Sequence, residues 1–201
     1  SSYDEGISTA HNIQECEAIK ALLPMIPYEI EAESLEEAIQ QQALLLEEIG
    51  VLTSKVKSYQ LFETISNHYE SYVLSDEKGG KCALIKCYPL FNTSALHLIH
   101  ELSSLELLHD LSVPGLTKPN ILSLSKCVCQ EQGYVFVVED VPTGISFDLF
   151  IEKALKAQKR SYIHLAAESL GKVLAYLHTS RQEDKGYFPT LRLENICSQI
   201  E

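Results

Sequence analysis

Basic residues are scarce in this chain. Sixteen Lys and Arg stand against twenty-eight Asp and Glu in 201 residues, a formal net charge of -12. Such an excess of negative charge repels phosphate backbones and anionic headgroups, and no local basic patch offsets it, so neither nucleic acid nor a membrane surface is expected as a partner. Long apolar runs are missing as well. Nothing approaches the roughly 18 uninterrupted apolar residues of a membrane span, and Ser1-Ser2-Tyr3-Asp4-Glu5 is acidic where a secretory signal needs basic residues. A cytoplasmic protein is the expectation. Nine Gly and seven Pro exclude a collagen-like or Pro-rich chain, and 45% apolar content excludes wholesale disorder. No C-x-x-C pair occurs among Cys16, Cys82, Cys87, Cys127, Cys129 and Cys197, so reduced, mostly buried thiols are expected rather than a zinc site or a disulfide framework.

What is present is unevenly distributed. Residues 1–50 carry eleven acidic side chains and one basic one, Lys20. Ser34 followed by Glu37 fits a capping box, and Leu35, Ala38, Ile39, Leu45, Leu46 and Ile49 recur at helical spacing before Gly50, which predicts an amphipathic helix over 34–49. Pro24 and Pro27 break the helix that begins near Cys16, so the first fifty residues read as two helices and a kink. The acidic helix 34–49 either packs on its own domain with a solvated outer face or binds a partner.

From Tyr59 onward the texture changes to strands: Gln60 to Ser66, His68 to Asp76 and, after the turn Glu77-Lys78-Gly79-Gly80, Lys81 to Tyr88. A helix follows, capped among Asn92, Thr93 and Ser94, with Leu98, Leu102, Leu105 and Leu108 on one stripe. Asn120 to Lys126 and Tyr134 to Glu139 are two more strands, turning at Glu131-Gln132-Gly133. Beyond Val141-Pro142-Thr143-Gly144, Phe147 to Ala157 and Tyr162 to Thr179 are helices. The fold class is α+β, a sheet-rich part before a helical one.

Several strings, in this order, resemble the small lobe, hinge and first large-lobe helices of a eukaryotic-type protein kinase over roughly residues 58–197. Cys82-Ala83-Leu84-Ile85-Lys86 looks like the V-A-I-K strand, whose lysine meets nucleotide phosphates and pairs with a helix glutamate, here Glu101. Lys118-Pro119-Asn120-Ile121-Leu122 resembles the entry to the fourth strand. Val137-Val138-Glu139-Asp140-Val141-Pro142-Thr143-Gly144 resembles the hinge, and Tyr176-Leu177-His178 the end of the long large-lobe helix. The resemblance implies a five-stranded antiparallel sheet with one helix, a truncated large lobe behind it, and an N-terminal helical extension. The boundaries are 1–57 for the acidic extension, 58–141 for the small lobe, and 142–201 for the hinge and partial large lobe.

Departures from the family pattern fall on the chemical residues. Phe188-Pro189-Thr190-Leu191-Arg192-Leu193-Glu194-Asn195-Ile196 aligns without a gap on the catalytic loop H-R-D-L-K-P-E-N-I, and Thr190 replaces the aspartate that takes or orients the hydroxyl proton. Phe188 and Pro189 replace His and Arg, while Arg192 keeps the positive charge of the loop lysine. Asn195 keeps the offset that lets it ligate magnesium. The phosphate-covering loop has lost its glycines in Glu63-Thr64-Ile65-Ser66-Asn67-His68-Tyr69, and Ile145 stands where a polar group would meet the ribose. The D-F-G aspartate would lie downstream of Glu201.

These observations predict a catalytically inactive, protein-kinase-like scaffold. ATP and magnesium are the cofactors the resemblance implies, with Lys86, Glu101, Glu139, Val141 and Asn195 as candidate contacts and no catalytic residue. The expected partner is a protein, met through helix 34–49 or through large-lobe helices whose apolar faces a short large lobe leaves exposed, and the chain is expected in an oligomer or larger assembly. Two other readings stay open. One is an atypical ATP-dependent phosphotransferase using His178 or Asp184 as its base; the other is an unrelated α+β interaction module. A kinase-like chain brings Lys86 to Glu101 across the sheet, whereas an unrelated module leaves the two charges apart. His97 and His100, beside Glu101, have a spacing a metal can use, but no second pair completes the ligand set.

Overall fold

A computed structural model describes residues 13–62, 68–110, 117, 119–141 and 144–179. The described residues fall into two compact units, one formed by residues up to 106 together with 119–141, the other containing 144–179.

The first unit is built on a six-stranded sheet. Helix α1 (Ile13–Leu22) runs into a 3-10 turn at Leu23–Met25, and strand β1 (Tyr28–Glu31) follows. Helix α2 (Leu35–Glu48) begins at Ser34, whose Oγ accepts from the Glu37 N–H at 3.1 Å, while the Glu37 carboxylate accepts from the Glu33 N–H at 2.9 Å. The first bond satisfies a donor that the first helical turn leaves orphaned, and the second ties the residue before the cap back to that turn. Gly50, at φ +75, supplies the left-handed residue that stops the helix. Then come β2 (Val56–Phe62), β3 (Glu70–Asp76), β4 (Lys81–Pro89), helix α3 (Asn92–Asp110), β5 (Ile121–Cys129) and β6 (Gln132–Glu139). The β3–β4 turn closes as Asp76 Oδ1 accepts from the N–H groups of Lys78 and Gly80, with Gly79 at φ +77.

Strand order is β1-β5-β6-β4-β3-β2, antiparallel throughout except for β1, which pairs parallel with β5 from Tyr28↔Ser125 to Glu31↔Val128. Two expectations are corrected here. The sheet has six strands and is mixed, not five antiparallel strands, and the acidic extension is not wholly helical because Tyr28–Glu31 completes the sheet. The Tyr-Glu-Ile-Glu alternation buries Ile30 alone, so a four-residue strand carries little periodic signal of its own and is held by its partner strand.

Period-two alternation divides the side chains between the faces of the sheet. One face carries Ala83, Ile85 and Cys87 of β4, Cys127 of β5, and Phe136 and Val138 of β6; they form one buried cluster with Ala38, Ile39, Ala43 and Leu46 of α2. Each large apolar side chain so enclosed contributes on the order of 1.5–3 kcal/mol. The outer face of α2 exposes Glu36, Gln40, Gln41, Leu44 and Glu48. Cys87, Cys127 and Cys129 are buried free thiols. Burial pushes their pKa values up, that of Cys127 to about 12, which leaves them unreactive packing groups. The other face carries Leu84, Lys86 and Tyr88, beside α3, where Ala95, Leu98, Ile99 and Leu102 are buried.

The second unit is a helix pair. Ser146 caps α4 (Phe147–Lys156), accepting from the Leu149 N–H, with Asp148 in the first turn and Lys153 and Lys156 in the last, as the helix dipole favours. Helix α5 (Arg160–Thr179) buries none of its residues. Ile163, Ala166, Val173 and Leu177 are half-buried, while Leu165 is 58% and Leu170 and Leu174 each 44% exposed.

Candidate functional site

On β4, Lys86 lies between Leu84 and Tyr88 on the α3 side of the sheet. Its Nζ stands 2.5 Å from Oε1 of Glu101, which α3 presents next to the buried Leu102. Lys86 pairs in register with Val137 of β6, and Leu84 pairs with Glu139. Glu139 is therefore the diagonal, same-face neighbour of Lys86, and its carboxylate reaches Nζ at 3.2 Å. The other Glu101 oxygen accepts from the Tyr88 hydroxyl. Tyr69, just before β3, packs its ring 4.7 Å from that of Tyr88, and the Lys86 ammonium lies 5.5 Å from the Tyr69 centroid, within cation–π range.

Water is largely excluded: the Lys86, Glu101 and Glu139 side chains are exposed by 16%, 17% and 3%. Burial pulls the Lys86 ammonium towards neutrality, but the Glu101 and Glu139 carboxylates together outweigh it and its pKa is raised. Glu139 behaves oppositely. Burial first, then the adjoining Glu101 carboxylate, push it up to about 8 against the opposing pull of Lys86. One ammonium thus serves two carboxylates.

Of the residues picked out in the sequence, the structure brings Lys86, Glu101 and Glu139 together. Val141 follows two residues after β6 and is half-buried, and Ile145 is exposed. Phe188, Pro189, Thr190, Arg192 and Asn195, together with residues 63–67 and Asp184, lie outside the described residues. His97 stacks on His68 at 3.7 Å between centroids, and among the described residues no group of three or more His, Cys, Asp or Glu is placed to hold a metal ion. Among them, too, no helix is long and apolar enough to cross a membrane.

Two features of the centre escaped the sequence. Tyr88, two residues after Lys86, shares its face by strand parity, a signal that was present. The resemblance places Glu139 in the hinge, whereas its side chain turns to Lys86; that follows only from the β4–β6 register. No protein-family model matches the chain, and no curated protein or solved structure matches it.

Proposed function

We propose that the chain is a protein-kinase-like module without phosphotransfer activity, a pseudokinase that acts by binding a protein partner. The observation that carries this reading is the Lys86–Glu101 ion pair, which ties a central strand of the sheet to the helix inserted between β4 and β5. Beside it stand the ordered strings of the sequence and Thr190 at the place of the catalytic base. A threonine hydroxyl has no useful basicity near neutral pH, and loss of a positioned base forfeits roughly 10²–10⁴ in rate.

With chemistry gone, function rests on surfaces. The outer face of α2 carries Glu36 and Glu48 with no basic residue in its last turn, which suits a basic partner surface and makes the association salt-sensitive. Helix α5 offers an apolar face. The test is direct: purified protein incubated with γ-labelled ATP and magnesium or manganese transfers no label to itself or to a general acceptor above the level of Lys86→Ala. Labelling that depends on Lys86 would make the chain a phosphotransferase and end the scaffold reading.

A further inference from the structure

We propose that Glu139 is a gate on the Lys86 centre, its carboxylate occupying the ammonium that a phosphate-bearing ligand would otherwise take. The inference rests on reading Lys86 as a phosphate-site lysine.

An ammonium has three N–H donors and no acceptor. Here Glu101 takes it at 2.5 Å and Glu139 at 3.2 Å, and the Tyr69 ring lies against it. Glu101 is itself held by the Tyr88 hydroxyl on its other oxygen. Pairing with Glu101 alone already satisfies the lysine charge. The second carboxylate leaves the centre with one negative charge in excess when both acids are ionised, in a site where 3% exposure of Glu139 gives little screening. A phosphate approaching Lys86 must displace Glu139 or sit beside it, and both cost electrostatic energy. Packing does not call for an acid at this position: Glu139 ends the run Val135-Phe136-Val137-Val138, every member of which is buried. An uncharged side chain fits the same strand, so the carboxylate is a feature of the site.

The gate is linked to protons. The charged groups at Glu139 are Lys86 from β4 and Glu101 from α3; Tyr88 and Tyr69 reach the centre through Glu101 and Lys86, and His97 and His100 precede Glu101 on α3. Protonated, Glu139 no longer adds its charge to the centre, so exclusion is strongest in mildly alkaline solution and relaxes on acidification.

The experiment titrates the intact chain with inorganic tripolyphosphate at pH 8.5 and 6.5, following thermal stability, which a ligand of the native state must raise. Wild type, Glu139→Gln and the double variant Glu139→Gln/Lys86→Met are compared, with Glu139→Val as a second opening of the gate and far-UV circular dichroism to establish folding. At pH 8.5 the single variants bind at least tenfold more tightly than wild type, the double variant loses the gain, and the difference narrows at pH 6.5. A parallel titration with ATP separates recognition of the triphosphate alone from recognition of a nucleotide. Equal binding by wild type and both single variants overturns the gate while leaving the scaffold reading in place. Absence of binding in every variant overturns the phosphate role of Lys86 itself. Neither result depends on the phosphotransfer assay that decides the scaffold reading.

Discussion

Replacing Glu139 with Gln should flatten the pH dependence of stability. In the folded chain the Glu139 pKa is raised from 4.5 to about 8 by burial and by the adjoining Glu101 carboxylate. Between those values the native state binds more protons than the unfolded one, so the contribution of Glu139 to stability is fully present below about pH 4.5 and is lost as pH rises towards 8. One group binds at most one proton, which limits the slope from this residue to about 1.4 kcal/mol per pH unit. Lys86 does not interfere: its pKa is raised, so its contribution is fully present below the ordinary lysine value of 10.5 and is lost only above it. Glutamine does not titrate, and its amide can accept from Lys86 while donating to Glu101. The variant should therefore match wild type within about 1 kcal/mol near pH 5 and exceed it by about 1–3 kcal/mol at pH 9. Ten tyrosines and no tryptophan make tyrosine fluorescence or far-UV circular dichroism the readout for urea unfolding, with reductant present for the six cysteines. A stability difference between the two proteins that stays constant from pH 5 to 9 would refute the proton linkage.

Two further outcomes follow from the packing. Gln42 of α2 is fully buried, and neither amide atom has a hydrogen-bond partner among the described residues, so Gln42→Leu should stabilise the chain by about 1–3 kcal/mol in urea unfolding; a loss of similar size would show that the amide is paired. The outward apolar face of α5 predicts concentration-dependent association by light scattering, with Leu170→Glu/Leu174→Glu shifting the chain to monomer, whereas a monodisperse wild-type monomer would contradict it.

How much of this was legible in the sequence depended on how local the cause was. Helix α2 announced itself because Ser34, Glu37 and Gly50 each perform a local task, capping or stopping, within a few residues of one another. Strands β3, β4 and β6 could be read from alternation and from the turn at Gly79. The β5–β6 turn moved by one residue, to Gln130 and Glu131, both at positive φ, because two non-glycine residues gave no turn signal. Strand β1 stayed hidden because its four residues are stabilised by β5, about a hundred positions away, rather than by their own pattern. The site divides the same way. Lys86 and Glu101 could be nominated from the strings around them, but the turn of Glu139 towards Lys86 depends on β6 lying beside β4 in one register, and sequence spacing does not carry that information.

The most direct test of the account is a double-mutant cycle on Lys86 and Glu101, using Lys86→Met, Glu101→Gln and the combined variant in urea unfolding at pH 7. Lys86→Met, which leaves the buried carboxylates without a cation, should cost about 3–5 kcal/mol, and Glu101→Gln, which leaves Lys86 paired with Glu139, should cost less. The double variant should be less damaged than the sum of the singles by about 1–3 kcal/mol, because Lys86→Met leaves two carboxylates without their cation and Glu101→Gln then removes one of them. Additive losses, with no coupling between the two positions, would show that β4 and α3 are not joined through this pair.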